Sequence, residues 1–331
     1  MIEVSNSDLF ICSDLNEDFI PTKEIDNGRF VRNPERPLRL KYVHNYMTKR
    51  FESISPEKFS EEWILKVHNE KYYEYIKRKS AEVEGEYIPE VFFVDPIFDT
   101  GTPILRSSYD AAVKAVDAVL TSVSYVLENK RPVYSISRPP GHHAMRNYGG
   151  GYCYFNNVAI AARYLNSKGL RVAILDIDFH HGNGTQDIFY DDPSVLYVSI
   201  HGDPRKFFPW YSGYEDEIGT GKAEGTNLNI PLPGGSDKRI YIEALNKAIG
   251  KILSYGPDFL IVSFGTDTHI EDPVGKFSLL SEDYRDIGSL ISTTLCEKIT
   301  MICIVQEGGY NPRANLSAAR NFFDGFLGVR S

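Results

Sequence analysis

The sequence lacks the features by which secreted, membrane-spanning and disulfide-rich proteins are recognised. Its 331 residues include only four cysteines, which are widely spaced and form no Cys-x-x-Cys pair. A thiol metal cluster and a disulfide framework are therefore excluded, and we expect reduced cysteines. No apolar run approaches the roughly 18 residues that a membrane span needs. The first residues show neither the basic nor the apolar part of a signal peptide, so we expect a cytoplasmic protein.

Positive charge is also in deficit. The chain has 36 lysines and arginines against 45 aspartates and glutamates, which gives a formal net charge of −9. This charge disfavours nucleic acids and anionic membranes as partners, and it suits a cationic substrate. Hydrophobic residues make up 42% of the chain and charged residues 24%, which is typical of a globular protein with a sizeable core.

What the chain does contain is a repeated order of strand, loop and helix. This order indicates an α/β fold with a mostly parallel central sheet of about eight strands, flanked by helices on both faces. No repeat or linker divides the sequence, so we expect one domain over residues 1–331. The predicted strands are 8–13, 132–137, 171–178, 195–200, 259–264 and 301–305. Helices are predicted near 37–53, 56–78, 108–127, 155–168, 237–254 and 281–299, and at the end of the chain.

The strand predicted at 171–178 leads into the most informative stretch, which places two carboxylates and two imidazoles in six residues. If the strand stays extended, Asp176, Asp178 and His180 point to one face. Carboxylate oxygen and imidazole nitrogen are both zinc ligands, and a catalytic zinc takes three protein ligands and a water. The plainer interpretation is a sheet edge whose aspartates cap the next helix. It leaves several polar groups at a buried strand end without compensation.

Polar clusters follow three other predicted strands, at 142–143, 267–269 and 307–310. Ligands of open α/β sheets bind at the carboxyl ends of the strands. Four strand ends of this kind therefore predict one shared site.

The chemistry of these clusters indicates a role for each. Asp267 would supply the third metal ligand and leave a position for a water, whose pKa the metal lowers. The tandem His142-His143 offers a general base. Asp176 is suited to orient one of the neighbouring groups by a hydrogen bond. Tyr310, in a Gly-Gly turn, is suited to donate its hydroxyl to a developing oxyanion.

Together these motifs resemble the zinc deacetylases of the histone deacetylase superfamily. The matching stretches, in the family's order, are 138–143, 151–157, 176–185, 264–273 and 307–310. The resemblance implies an arginase/deacetylase-like fold, with zinc on Asp178, His180 and Asp267. It implies His143 as general base and then acid, His142 with Asp176 as its electrostatic partner, and Tyr310 as carbonyl polariser. It also implies a substrate tunnel lined by Gly151, Tyr152, Phe208 and Gly308, and a structural K⁺ held by Asp176, Asp178, His180, Ser199 and Ile200.

The segment 80–105 is acidic and aromatic, and it is predicted to be a long irregular loop, which is usually functional in a compact domain. A solvated surface loop is the alternative. The segment resembles the insertion of bacterial acetylpolyamine amidohydrolases, which supports a homodimer and narrows the entrance to small flexible amines. This resemblance implies hydrolysis of N-acetylated polyamines or diamines to acetate and the free amine. Glu84, Glu86 and Glu90 are candidate entrance residues for the distal ammonium. Val274 stands where polyamine-selective eukaryotic relatives have a gatekeeper glutamate.

Other functions remain open on the sequence. A protein-lysine deacetylase would use the same chemistry. A binuclear ureohydrolase of the arginase type would need a second metal bridged by further aspartates, and a non-catalytic acyl-lysine reader would not need Tyr310 or His143. The metal is open as well, because carboxylate-rich sites also accept Fe²⁺ or Co²⁺.

Overall fold

The computed structural model describes residues 9–89 and 97–329. Its strands are β1 (Phe10–Asp14), β2 (Lys23–Asp26), β3 (Arg29–Arg32), β4 (Glu52–Ile54), β5 (Glu86–Tyr87), β6 (Ile97–Phe98), β7 (Ile104–Leu105), β8 (Val133–Ser137), β9 (Tyr148–Gly149), β10 (Val172–Asp176), β11 (Val195–Gly202), β12 (Asn227–Leu232), β13 (Phe259–Phe264) and β14 (Met301–Gln306). Its helices are α1 (Leu38–Arg50), α2 (Glu62–Leu65), α3 (Glu70–Glu82), α4 (Ser108–Asn129), α5 (Asn157–Asn166), α6 (Asn183–Phe189), α7 (Lys238–Tyr255), α8 (Asp283–Leu295) and α9 (Pro312–Phe326).

Eight strands form one parallel sheet in the order β12-β11-β10-β13-β14-β8-β1-β4. The predicted α/β class and the size of the sheet are confirmed. The four strands that end in polar clusters, β8, β10, β13 and β14, are immediate neighbours. Because parallel neighbours end at the same edge, the four clusters meet there.

The inner strands of the sheet, such as β8, β10, β11 and β13, are buried on both faces, as their nearly continuous apolar sequences predict. On β10, Ala173 and Leu175 join one hydrophobic core, whereas Val172 and Ile174 join the other. This alternation follows from the two-residue period of a strand. Helices α1, α7, α8 and α9 cover the first face, and α3, α4 and α5 cover the second.

Two strands of the sheet, β4 and β12, were not predicted, and both lie at its edges. β4 has only three residues, and β12 contains two asparagines and a proline. Edge strands tolerate such residues because one side of the backbone has no strand to bond. Their sequences therefore lack the apolar pattern that marks the central strands.

Two predicted elements also differ from those of the structure. The region predicted as helical at 56–78 contains two helices, α2 and α3, and β10 stops at Asp176 rather than at residue 178.

The segment 80–105 is not a single irregular loop in its described parts. Residues 80–82 are the end of α3. Farther along, β5 pairs with β7 in antiparallel fashion, and β6 pairs in parallel with β9, which lies outside the segment. Short strands of two residues carry too little pattern to be predicted. Glu90, one of the candidate entrance residues, lies outside the described residues.

A second unpredicted element is the antiparallel hairpin of β2 and β3. Its turn is Asn27-Gly28, and both residues have positive φ angles, of 48° and 74°. Asn-Gly favours this turn because asparagine and glycine tolerate the left-handed region. Across the described ranges, no helix is both long and apolar enough to cross a membrane.

Candidate active site

After β10 the chain makes two tight turns, and an aspartate side chain closes each of them. Asp176 Oδ1 accepts the backbone N–H of Asp178 at 3.2 Å, and Asp178 Oδ1 accepts that of His180 at 2.8 Å. Aspartate commonly bonds the backbone two residues on in this way. Asp178 and His180 are thus presented by turns beyond the strand, not by an extended strand, although they still converge on the same site.

Asp178, His180 and Asp267 lie together, with one ligand atom of each within 4.8 Å of the others. His180 Nδ1 is 2.9 Å from Asp267 Oδ2 and 3.3 Å from Asp178 Oδ1. All three side chains are buried. Within residues 9–89 and 97–329 this is the one cluster of three or more possible ligands.

The donor set fits a divalent metal ion. Burial and the charge of Asp178 raise the pKa of Asp267 to about 7, because two carboxylates repel each other in a buried site. A bound dication relieves this repulsion. Two glycines pack directly against the carboxylates of this set. A Cβ at Gly265 would lie 2.1 Å from Asp178 Oδ2, and one at Gly308 would lie 2.5 Å from Asp267 Oδ2.

His142 is held as a buried cation. Its Nδ1 is 3.1 Å from Asp176 Oδ2, which also accepts the hydroxyl of Tyr197 at 2.9 Å. Burial favours the neutral ring, but the negative charges of Asp178 and Asp176 outweigh it and raise the pKa of His142 to about 10. The predicted pairing of His142 with Asp176 is present in the structure.

His143 is held as a neutral base beside it. Burial and the positive charges of His142 and His180 keep the pKa of His143 well below its usual range. Its Nδ1 lies 2.7 Å from Oδ1 of Asn183, an atom that only accepts. Nδ1 therefore carries the proton, and Nε2 is the nitrogen free to receive one.

Tyr310 follows β14 through two glycines, and Asp272 Oδ2 accepts its backbone N–H at 2.6 Å. The guanidinium of Arg39 lies 5.6 Å from the centre of its ring. Burial and the neighbouring Tyr152 raise the pKa of Tyr310 well above its ordinary value. The phenol thus stays protonated and remains a donor. Asp272, which sequence reasoning missed, lies inside the matching stretch 264–273.

A cleft of about 510 Å³ connects these groups to solvent, and His143, His180 and Tyr310 lie on its wall. The rings of Phe208 and His143 pack edge to face at 4.9 Å, and those of Tyr152 and Tyr310 at 5.5 Å. Phe208 and Tyr152, the two aromatics predicted for the tunnel, both line this cleft.

The two glycines predicted for the tunnel differ in position. Gly151 lines the cleft with a φ of 55°, and a Cβ there would lie 2.1 Å from Cδ2 of His143, so only glycine fits. Gly308 is not on the cleft wall. It lies against the carboxylates of Asp178 and Asp267, and its N–H donates to Asp178 Oδ2 at 2.7 Å.

Glu84 and Glu86, the predicted entrance glutamates that lie in the described part of the chain, do not line the cleft. Oε1 of Glu86 accepts the backbone N–H of Thr22 at 2.9 Å and so supports the β2–β3 hairpin. Glu84 is exposed, and neither glutamate is part of the cleft wall. Their placement thus gives no support for direct contact with a substrate.

Other acidic residues line the cleft instead, namely Glu24, Asp26 and Asp99. Burial, and further the charges of Asp99 and Asp26, raise the pKa of Glu24 to about 7. Asp99 Oδ2 accepts the N–H of Gly151 at 2.7 Å and so fixes the cleft wall. The Asn27-Gly28 turn was the one feature of the sequence that could have placed a hairpin here.

A buried ionic network lies beside the turn that carries Tyr310. Glu35 bonds Arg138 Nη2 at 2.6 Å and Arg39 Nε at 2.9 Å, and none of the three is more than 1% exposed. Arg39 Nη1 donates to the carbonyl of Glu307 at 2.8 Å, in the turn that carries Tyr310. Sequence reasoning missed Glu35 and Arg39, because nothing local distinguishes them from surface charges.

Of the residues implied for K⁺, Asp176, Ser199 and Ile200 lie on adjacent strands, and Asp178 and His180 follow in the turns after β10. Asp176 on β10 is paired in register with Ser199 on β11, and Ile200 follows it. Ser199 Oγ is 2.8 Å from His201 Nδ1 and keeps an oxygen lone pair for a cation.

The chain as a whole, and not only these site residues, is similar to known proteins. The model of the histone deacetylase domain matches residues 33–326. Acetylpolyamine amidohydrolase 2 of Pseudomonas aeruginosa is 47% identical over 234 residues, which cover 70% of this chain and 67% of that protein. The acetylpolyamine amidohydrolase of Mycoplana ramosa is 34% identical over 330 residues, or 92% and 95% of the two chains. The crystal structure of acetylpolyamine aminohydrolase from Burkholderia pseudomallei superposes with a TM-score of 0.90 at 32% identity, covering 98% of this chain and all of that one.

Proposed function

The chain belongs to the histone deacetylase superfamily, and from that premise we propose that it hydrolyses N-acetylated polyamines or diamines to acetate and the free amine. That the chain is a hydrolase which deacetylates an amide bond follows from the family itself. The observation that supports the substrate class is the cleft, whose wall includes both His180 of the buried triad and the carboxylates of Glu24, Asp26 and Asp99. Such a site suits an acetyl group at its base and an ammonium at its mouth.

In this proposal Asp178, His180 and Asp267 hold Zn²⁺, for which two carboxylates and an imidazole are suitable ligands. When bound, the metal lowers the pKa of a water and polarises the amide carbonyl. Fe²⁺ or Co²⁺ would suit the same donors. A structural K⁺ between β10 and β11, with Asp176 and Ser199 among its ligands, belongs to the same proposal.

The protein groups then divide the proton transfers between them. Nε2 of neutral His143 takes a proton from the attacking water and returns it to the leaving amine. The positive charge of His142, held by Asp176, opposes premature protonation of His143. The Tyr310 hydroxyl donates to the oxygen that gains charge.

Recognition of the amine is assigned to the β2–β3 hairpin. Glu24 and Asp26 lie on the cleft wall that this hairpin contributes, and Glu24 is half-buried, where a carboxylate attracts a cation more strongly than in open solvent. Lys206 and Lys276 line the cleft as well, but both are exposed. Val274 also lies on the cleft wall, so no gatekeeper glutamate contributes from that position.

The test is kcat/KM of the zinc-loaded protein on N-acetylcadaverine, on the neutral isostere N-hexylacetamide, and on an acetyl-lysine peptide. A preference of about 100-fold for acetylcadaverine over the peptide, or roughly 2.7 kcal/mol, supports the proposal. Glu24→Gln should lower kcat/KM for acetylcadaverine and leave that for N-hexylacetamide unchanged. Preference for the peptide would favour the protein-lysine deacetylase instead.

Two other classes of protein, the binuclear ureohydrolase and the acyl-lysine reader, are tested by the number of metal ions bound per chain and by the variant Tyr310→Phe. A binuclear ureohydrolase would bind two metals per chain, whereas a single triad in the described part of the chain supports one. A reader would bind an acyl ligand equally well after Tyr310→Phe and hydrolyse nothing. Measured stoichiometry near one metal, together with turnover, would exclude both.

Assembly and location are also proposed. We infer a homodimer in which the segment 80–105 narrows the entrance, and a cytoplasmic site of action in keeping with a polyamine substrate. Sedimentation of the zinc-loaded protein tests the first, and a monomer at micromolar concentration would contradict it.

A further inference from the structure

The long loop after β11 reaches the neighbour of the proposed general base. Tyr211, in this loop, accepts a hydrogen bond from Nδ2 of Asn183 at 2.9 Å. Asn183 is buried, and its Oδ1 faces Nδ1 of His143 at 2.7 Å. A chain of two hydrogen bonds therefore joins a residue in the loop to His143.

The amide of Asn183 has two orientations with opposite consequences. In the observed one, Oδ1 accepts from Nδ1–H of His143, which leaves Nε2 as the basic nitrogen. In the flipped one, Nδ2 would donate to Nδ1, and the proton of a neutral ring would have to sit on Nε2. A ring in that tautomer cannot take a proton at Nε2.

The surroundings of Asn183 select the observed orientation. Nδ2 lies 3.5 Å from the carbonyl oxygen of His143, which only accepts, so a flip would set two oxygens against each other. The Tyr211 hydroxyl donates to Sδ of Met145 at 3.8 Å, which leaves its lone pairs for Nδ2. Burial, followed by the charges of Asp99 and Asp187, raises the pKa of Tyr211 to about 12, so the hydroxyl keeps this proton.

We propose that Tyr211 is a positioning residue that holds the Asn183 amide and thereby fixes the basic tautomer of His143. The proposal rests on the proposed function for the role of His143 as base. A carboxylate would need no such help, since it offers an oxygen in either orientation. Because residue 183 is an asparagine, its amide has to be held in one orientation, and Tyr211 is needed to hold it.

The test compares Tyr211→Phe in two backgrounds of the zinc-loaded protein. In the natural background, loss of one hydrogen bond should lower kcat on an acetylated diamine about fivefold, with KM changed less than twofold. In the Asn183→Asp background the same substitution should change kcat less than twofold, because the carboxylate has no orientation to lose. Tyr190→Phe, which removes a hydroxyl from another wall of the 260 Å³ cavity beside Asn183, is the matched control.

A second measurement is independent of turnover. Long-range ¹⁵N–¹H spectra of histidine-labelled, zinc-loaded protein should show His143 protonated at Nδ1, with a mixture of tautomers in Tyr211→Phe and none in Tyr190→Phe. An unchanged tautomer in Tyr211→Phe, or an equal loss of kcat in both backgrounds, would overturn the proposal. If acetylated diamines are not substrates, the proposed function fails, and the spectra still decide the role of Tyr211.

Discussion

Replacing Gly308 by alanine tests whether bare backbone next to the triad is needed for metal binding. The added Cβ would lie 2.5 Å from Asp267 Oδ2 and 2.6 Å from Asp178 Oδ2, about 0.9 Å short of an ordinary contact of 3.4 Å. Both oxygens belong to short, buried side chains with other bonds, so neither can move away freely. The N–H of residue 308, which donates to Asp178 at 2.7 Å, is kept in the variant. The substitution therefore isolates the effect of one methyl group.

A displacement of nearly 1 Å at reacting groups costs on the order of 100-fold in rate. We expect kcat/KM of Gly308→Ala to fall by about this factor, and the Kd for zinc to rise roughly 10- to 100-fold, as for changes beside metal ligands. Competition with a chromogenic chelator measures the Kd, and acetate release measures the rate. The fold should persist, which circular dichroism verifies.

Gly250→Ala is the matched control, because Gly250 lies in α7 with nothing within 4 Å of the position of its Cβ. It should keep full activity and gain about 0.5–1 kcal/mol of stability, as alanine does in a helix interior. If Gly308→Ala binds zinc and turns over like the natural protein, the close packing against the triad does not limit ligand geometry, and the reasoning is refuted.

Three further predictions concern other parts of the site. Tyr310→Phe should lower kcat about 10²- to 10³-fold with little change in KM, because it removes one oxyanion donor; an unchanged kcat would deny it that role. Glu35→Ala should reduce the free energy of unfolding in urea by about 3–5 kcal/mol, because it leaves Arg39 and Arg138 buried without a counter-charge; a loss below 1 kcal/mol would contradict this. The pKa of Glu24, about 7, predicts that KM for a cationic substrate falls as the pH rises through 7, when the carboxyl ionises, and that this fall is absent in Glu24→Gln. The folded protein holds that proton more tightly than the unfolded chain. The contribution of this carboxyl to the free energy of unfolding should therefore fall as the pH rises from about 4.5 to about 7, whereas an ion-paired acid gains stability as the pH rises.

The residues proposed as metal ligands and catalytic groups could be found from the sequence because each lies at or just after the end of a buried strand. Asp178, Asp267 and Tyr310 follow apolar runs that are typical of buried strands, so their polar side chains stand out at those positions. The entrance could not be predicted in the same way. Glu24 lies in a short polar hairpin. In the acidic segment 80–105, Glu86 supports that hairpin and Glu84 faces solvent, whereas Asp99 lines the cleft.

The sequence by itself determined the order of strands and helices, and it supplied the residues with metal-binding and proton-transfer chemistry at the strand ends. Periodicity and residue type are local properties, so they survive without knowledge of the fold. The tertiary structure decided which strands are neighbours, and hence that β8, β10, β13 and β14 present their clusters side by side. It also decided that Tyr211 meets Asn183 and that Glu24 meets the cleft. Those contacts join segments distant in the chain, and they depend on how strands pair and loops pack rather than on any local pattern.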